Sequence, residues 1–377
     1  MARIAFLDRI AWDYRVDTPD ERPLGGSQSA LCYLARALAR LGHEVRTVTM
    51  TRSPGRIDGV DCLSAEGGYG LFAGAEAVIV LNDPDPQVAE ALRAVVGAKT
   101  PLVLWTQHDV DQPAVAAFAA PETRRRWDRV VFVSQWQEKA WRAHFGREPE
   151  GIVIGNAMAP AFETLFAEDE SPISSKPEPR LIYTSTPFRG LEVLLEAFPL
   201  IRAEVPAARL SVYSGLAVYQ VAEAEDAYRD LYRRCRETQG VDYCGQVSQP
   251  ALAEALKSAL CFAYPSTFPE TFCTSAIEAM AAGCLAVLGD LGALAETAQG
   301  LAELVPPSGD ASGVIVAGTY AQGFAERVIP FLKEAQALAP RLERQRRLLL
   351  ASATWKARAR TWSRWIETMR AERGRLA

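Results

Sequence analysis

Apolar and polar residues along this chain follow two periods that take turns. Short apolar runs stand at Arg3–Leu7, Val45–Met50, Ala77–Leu81, Leu102–Trp105, Arg129–Val133 and Ile152–Ile154. Between them the apolar residues recur at helical spacing: Ser27–Leu41, with Leu31, Leu34, Ala35, Leu38 and Leu41 on one stripe, then Gln87–Val95 and Gln135–Phe145. Strands of parallel sheets read as continuous apolar runs, and each needs a crossover, usually helical, to reach the next. The alternation therefore predicts a series of right-handed βαβ units. Ser134, three residues before Gln137, predicts a capping box.

The pattern restarts after Ala167–Pro179, where Asp, Glu, Ser and Pro crowd together. Strands are expected at Arg180–Thr184, Arg209–Tyr213, Val241–Tyr243, Ala259–Ala263 and Cys284–Leu288. Helices are expected at Gly190–Glu204, at Asp226–Thr238, from a Ser248 cap to Lys257, and at Ser275–Ala282, closed by Gly283. The fold class is thus α/β, with two doubly wound Rossmann-like domains over 1–166 and 180–340, a linker over 167–179, and a tail over 341–377.

Composition fits this. A chain of 377 residues exceeds the usual single core, and 49% apolar with 23% charged residues is a soluble globular balance. No run of about 18 apolar residues suggests a membrane span, and the N-terminal apolar run is too short for a signal peptide. The seven cysteines form no C-x-x-C pair, so buried reduced thiols of a cytosolic protein are expected rather than a zinc site. The net charge of −5 hides an asymmetry: eleven Lys/Arg against three Asp/Glu lie from Arg341 to Ala377, leaving thirty against forty-three elsewhere.

The candidate chemistry centres on Pro269–Gly283. Glu270 and Glu278 stand eight apart, the first in a loop and the second about a turn inside a helix. Between them come backbone N–H groups and the hydroxyls of Thr271, Thr274 and Ser275 at the positive end of that helix. This is a site for an anion, most plausibly phosphate, with a carboxylate on each side to accept hydrogen bonds from sugar hydroxyls.

The string Pro-Glu-Thr-Phe followed by Glu-Ala-Met-Ala-Ala-Gly, with a strand after it, resembles the E-x7-E motif of retaining GT-B glycosyltransferases, in particular glycosyltransferase family 4. The resemblance also covers Gly25-Gly26-Ser-Gln-Ser-Ala, Trp105–Asp109 and Arg189–Phe198. It implies two domains facing across a cleft, with a nucleotide diphosphate sugar of UDP or GDP type held mainly by the second. Glu270 then binds hydroxyls of the transferred sugar and Glu278 the nucleotide ribose. Thr271, Phe272, Cys273, Thr274 and Ser275 line the phosphate, and the backbone of Gly245 to Val247 holds the base. Gly25 and Gly26 meet the pyrophosphate and His108 the donor sugar. Asn156 matches a turn the family commonly has.

One feature departs from the family. Arg189-Gly190 stands where a Lys-Gly is usual, but Thr184 holds the usual Arg position, so one cation of the pair is missing. Thr184, Ser185 or Thr186 is left to donate neutral hydrogen bonds, and Arg189 to carry the charge. The catalytic residues implied are Glu270, His108 and Arg189, in a front-face reaction without cofactor or metal. Asp83-Pro-Asp85 is an Asp-x-Asp triplet, stiffened by Pro84 and in the acceptor-side domain. His43 reads as structural and His144 as surface.

The partners expected are the donor and an acceptor glycan, lipid or small molecule, with no nucleic acid. The rivals are an epimerase of the same fold, a glycoside phosphorylase, and a non-catalytic sugar-nucleotide-binding protein. In the tail, Trp355, Trp362, Trp365, Ile366 and Met369 fall on one helical stripe, with Lys356, Arg358, Arg360, Arg364 and Arg370 over the rest. Such a helix either lies on an anionic membrane surface or crosses back to bury its tryptophans in the first domain. The second is expected, in a cytoplasmic protein for which peripheral contact at the inner membrane surface is the alternative.

Overall fold

The computed structural model describes residues 1–167, 170–176, 178–309 and 315–375. Glu168, Asp169 and Pro177 of the expected linker, and the last two residues of the tail, lie outside the described residues. Contacts divide the chain into two units. Unit 1 is Met1–Glu21, Gly25–Ala157 and Trp355–Ala377, and unit 2 is Arg22–Leu24 and Met158–Thr354. Residues 158–166 and the helix Ala339–Ser352 therefore lie with unit 2, and the helix Trp355–Arg375 lies with unit 1.

Unit 1 holds eight strands: β1 (Arg3–Leu7), β2 (Glu44–Thr49), β3 (Gly55–Ile57), β4 (Val60–Ser64), β5 (Ala77–Leu81), β6 (Leu102–Trp105), β7 (Arg129–Phe132) and β8 (Gly151–Val153), in the order β3-β4-β2-β1-β5-β6-β7-β8. All neighbours are parallel except β3 and β4. The chain winds outward from β1, then returns to β5 on its other side, so the connections diverge at the carboxyl ends of β1 and β5. The β3–β4 hairpin lies outside the expected elements. Its turn, Asp58-Gly59, has both residues at positive φ, 49° and 83°, the geometry that matches two-residue hairpin turns to strand twist.

The C-terminal helix spends its apolar stripe inside unit 1. Trp362 is 1% exposed and packs edge-on against Trp105 at 5.2 Å, Trp355 lies 6.2 Å from Tyr33, and Ile366 and Met369 are buried. Trp365 stays half-buried beside Trp362. Three of its arginines serve unit 1 itself: Arg358 donates to Asn156 O at 3.1 Å, Arg370 pairs with Glu76, and Arg373 pairs with Asp128. His43 accepts from the Ala2 N–H and bonds Ser363 Oγ, a tie between chain ends rather than a dipole effect.

Unit 2 holds six parallel strands: β9 (Arg180–Thr184), β10 (Arg209–Tyr213), β11 (Val241–Tyr243), β12 (Cys261–Tyr264), β13 (Leu285–Gly289) and β14 (Glu303–Val305), ordered β11-β10-β9-β12-β13-β14. The winding again reverses, here between β9 and β12. Two expectations are corrected. The helix read from Asp226 begins at Arg229, because Asp226 is buried and accepts from the N–H groups of Leu216 and Tyr228 and the Tyr232 hydroxyl. Ser248 occupies the N-cap of helix Gln249–Ser258 without a side-chain bond, and Pro250 at the second position lacks one of the two N–H groups such a cap can bond.

The buried Lys176 closes two helices at once. Its Nζ donates to Lys257 O, Ala259 O and Ala282 O at 2.7–3.0 Å, at the carboxyl ends of Gln249–Ser258 and Thr274–Ala281. Gln345 Nε2 adds bonds to Met280 O and Cys284 O. These satisfy carbonyls that a helix end leaves open.

Trp362→Ala should destabilise unit 1 by about 3–5 kcal/mol, the cost of emptying a buried tryptophan site. Trp365→Ala should cost clearly less. Urea unfolding of the two variants checks this; equal effects would mean the helix does not pack through Trp362.

Candidate functional site

In unit 2 the site is built where the winding reverses. After β9, residues 184–190 turn into helix Leu191–Glu204; after β12, residues 265–273 turn into helix Thr274–Ala281. Glycines let these turns, and the turn after β13, pack closely. Gly190 has φ +105°, and a Cβ there would lie 2.0 Å from Pro265 O. Gly292 has φ +66°, and a Cβ there would lie 2.5 Å from the Glu270 backbone, whose carbonyl accepts from Ala293 N–H at 2.6 Å. Ser275 Oγ donates to Thr184 O at 2.8 Å, tying the start of the second helix to the end of β9.

Inside this frame stand Arg189 and Glu270. Glu270 is 2% exposed, and both its oxygens accept from Arg189 Nη1, at 2.6 Å for Oε1. The Tyr264 hydroxyl, from the last residue of β12, donates to the same Oε1. The Arg189 guanidinium lies 4.6 Å from the Phe268 ring centre and 5.4 Å from that of Phe188. Although burial alone opposes its charge, Glu270 beside it holds its pKa well above the usual value. Around the pair, three polar atoms are buried with no partner among the described residues: Thr184 Oγ1, Thr186 Oγ1 and Arg189 Nε. Each such atom costs about 1–3 kcal/mol unless something binds it. Ser185 Oγ lies 3.3 Å from the Tyr264 hydroxyl.

The structure thus brings Arg189, Glu270, Thr184, Ser185 and Ser275 together. Thr271 and Cys273 are buried, and Phe272 and Thr274 half-buried, at the start of the helix, whose N-cap, Cys273, makes no side-chain bond. Burial pushes the Cys273 thiol up, so it is no nucleophile. Glu278 lies apart from the pair. It is 3% exposed, accepts from Ala159 N–H at 3.1 Å, and burial raises its carboxyl to about 8. Gly245 and Val247 are half-buried in the turn after β11, where Gln246 bonds Gly215 O and Val218 N–H. A cavity of about 590 Å³ is lined by Phe188, Gly190, Thr267, Tyr228 and Arg234 among others, but not by Arg189 or Glu270.

In unit 1, Gly25 is the buried N-cap of helix Gly26–Arg40, and a Cβ there would meet Gln28 Oε1 at 2.8 Å and the Trp12 ring at 3.0 Å. Gly26 is exposed and faces open space. At the end of β1, buried Asp8 accepts from the Tyr14 hydroxyl (2.7 Å), Gln28 Nε2 (3.0 Å) and Ile10 N–H (3.1 Å), and burial raises its carboxyl. His108 is half-buried after β6. Its Nδ1 bonds Gln112 Oε1, and its carbonyl accepts from Gln137 Nε2 and Trp141 Nε1. Gln137 does not close a capping box: its Oε1 accepts from Val133 N–H, one residue before the Ser134 cap. Asp83 and Asp85 both pair with Arg9, and Asp85 caps helix Pro86–Val96. Among the described residues no group of three or more His, Cys, Asp or Glu is placed to hold a metal ion.

Tyr264, Asp8 and Gln28 were not assigned a role by sequence, and Gln137 was read only as a capping-box partner. Asp8 and Tyr264 carried a signal, each standing at or just past the carboxyl end of a strand at a reversal of winding.

Residues 178–334 match the family model of glycosyl transferases group 1. No curated protein matches the chain by sequence. Three solved structures share its fold. They are sucrose-phosphate synthase from Thermosynechococcus elongatus (19% identity, 99% of this chain and 100% of that one, TM-score 0.75), a glycosyltransferase from Rickettsia africae (12%, 98% and 98%, 0.71), and Anabaena HepE in complex with UDP-glucose (14%, 98% and 100%, 0.71). The fold is therefore that of GT-B glycosyltransferases, and the stretch similar to the group 1 family lies in unit 2.

Glu278 makes stability depend on pH. In the folded chain it keeps its proton to about pH 8, against 4.5 ordinarily. The stabilisation is complete below the ordinary value and is lost as pH rises through the folded one. Between them, wild-type stability should fall relative to Glu278→Gln by up to about 1.4 kcal/mol per pH unit. Urea unfolding of both proteins across that range tests it; parallel curves would mean Glu278 is not buried as a neutral acid.

Proposed function

We propose that the chain is a retaining glycosyltransferase that moves a sugar from a nucleoside diphosphate sugar to an acceptor hydroxyl. The observation that carries this reading is the Arg189–Glu270–Tyr264 cluster, set among buried, unpartnered hydroxyls beside a helix N-terminus within the group 1 domain. Arg189 and the first N–H groups of helix Thr274–Ala281 suit a diphosphate. Thr184 and Thr186 supply neutral donors where a second cation is missing. Glu270 accepts hydrogen bonds from hydroxyls of the transferred sugar, and Glu278 from the nucleotide ribose. Gly245 and Val247 hold the base. Gly25, Gly26 and His108 contact the donor, as the resemblance implies. The UDP-glucose bound by Anabaena HepE supports a donor of UDP type, with GDP as the alternative.

The acceptor hydroxyl attacks the anomeric carbon on the face the diphosphate leaves, and a leaving phosphate oxygen takes its proton. Glu270, held by a cation and a phenol, is suited to binding hydroxyls rather than to attack. Arg189 and the helix N–H groups meet the charge that builds on the leaving group, and Asp83 and Asp85 are occupied by Arg9. We therefore propose transfer without a metal. The acceptor is a glycan, a lipid-linked sugar or a small molecule. No described helix is long and apolar enough to cross a membrane, and Trp355 and Trp362 of the last helix are buried in unit 1.

A thermal-shift panel of UDP, GDP, ADP and their sugars should find one nucleotide sugar that stabilises the protein, by about 2.7 kcal/mol at a hundredfold excess over Kd. Arg189→Ala should abolish the shift and Arg189→Lys reduce it. Glu278→Ala should weaken binding, and Glu270→Ala should lower turnover. EDTA should leave transfer unchanged. No shift with any nucleotide would overturn the reading, and activity only with added magnesium or manganese would overturn its metal-free part.

A further inference from the structure

Arg189 has two claimants. In the ligand-free protein it neutralises Glu270, yet a bound diphosphate needs the same cation. Glu270 is 2% exposed and cannot fall back on water. If Arg189 turns to a diphosphate, Glu270 keeps only the Tyr264 hydroxyl, and a buried carboxylate that loses its cation is strongly destabilised. Sugar hydroxyls can replace what Arg189 withdraws, whereas a bare nucleoside diphosphate brings nothing to Glu270.

We propose that the Arg189–Glu270 pair is a check on the donor: it holds down affinity for the bare nucleoside diphosphate and yields only to one that carries a sugar. This rests on the proposed donor site and adds the discrimination between donor and spent product. Two features suit the pair to exchange. Arg189 bonds Glu270 through Nη1 while its buried Nε has no partner among the described residues. The Phe188 and Phe268 rings lie close to the guanidinium and favour a cation there whichever anion it faces. Once transfer is complete the sugar hydroxyls are gone, Glu270 reclaims Arg189, and the spent nucleotide is expelled.

Isothermal titration calorimetry with UDP and UDP-glucose, or with the guanine pair if the panel selects it, tests this. Glu270→Gln keeps the shape but removes the charge. It should tighten binding of the bare diphosphate by about tenfold or more while weakening the nucleotide sugar, so the preference between them collapses. In an Arg189→Ala background the same change should restore no diphosphate binding, because Glu270 acts through Arg189. Tyr264→Phe should do the reverse of Glu270→Gln. It makes Glu270 more dependent on Arg189, so the bare diphosphate binds more weakly and the preference widens. This second variant reads out the pair even if Glu270→Gln folds poorly. Unchanged or weaker diphosphate binding in Glu270→Gln overturns the proposal, as does a narrower preference in Tyr264→Phe. If wild type binds both ligands but the variants shift them equally, the donor site stands and the check does not. If wild type binds neither, the glycosyltransferase reading fails and the check with it.

Discussion

A carboxylate shut away from water must be given partners, and in unit 2 the need is met by groups from separate strands. Glu270 reaches Arg189 from the turn after β9 and Tyr264 from the end of β12. These two strands are neighbours only because the winding reverses between them. The two turns meet closely because Gly190 has no Cβ to strike Pro265, and the turn after β13 lies against the Glu270 backbone because Gly292 has none. A side chain at Gly190 would push the Arg189 turn away from the turn that carries Glu270 and leave a buried charge without its partner, so that glycine and the ion pair stand or fall together.

The helix that follows is held at both ends. Ser275 ties its first turn to β9, while Lys176 and Gln345 take carbonyls at its far end. With carbonyls at its far end bonded by side chains, the helix keeps its first turn for what approaches from the β9 side. Unit 1 uses a related device. Asp8, at its own reversal of winding, accepts from Gln28 and Tyr14 and so fixes the start of the helix that opens on Gly25-Gly26.

Most strands and helices were legible because apolar period reports burial, and parallel strands are buried on both faces. Boundaries such as Gly26–Arg40 for the expected Ser27–Leu41 differ by a residue at each end. The β3–β4 hairpin carried its own signal, Asp58-Gly59, and went unread because its strands are short and flank no helix. The start of the helix at Arg229 was not legible, since it depends on a distant segment claiming Asp226. In the site, Arg189 and Glu270 stood out by residue type and spacing, but their pairing with each other did not. Nor did the Ser275 hydroxyl bond to Thr184 O, or the burial that keeps Glu278 protonated. These are tertiary facts, set by which turns the sheet order brings together.

On the proposed reading, the turns after β9 and β12 form a diphosphate site whose cation is Arg189. A crystal structure of the protein soaked with a nucleoside diphosphate sugar tests it most directly. The expected result is a phosphate oxygen within hydrogen-bonding distance of Arg189 and of the first N–H groups of helix Thr274–Ala281, with Glu270 turned to the sugar hydroxyls. A nucleotide bound elsewhere in unit 2, with Arg189 still closed on Glu270, would contradict it.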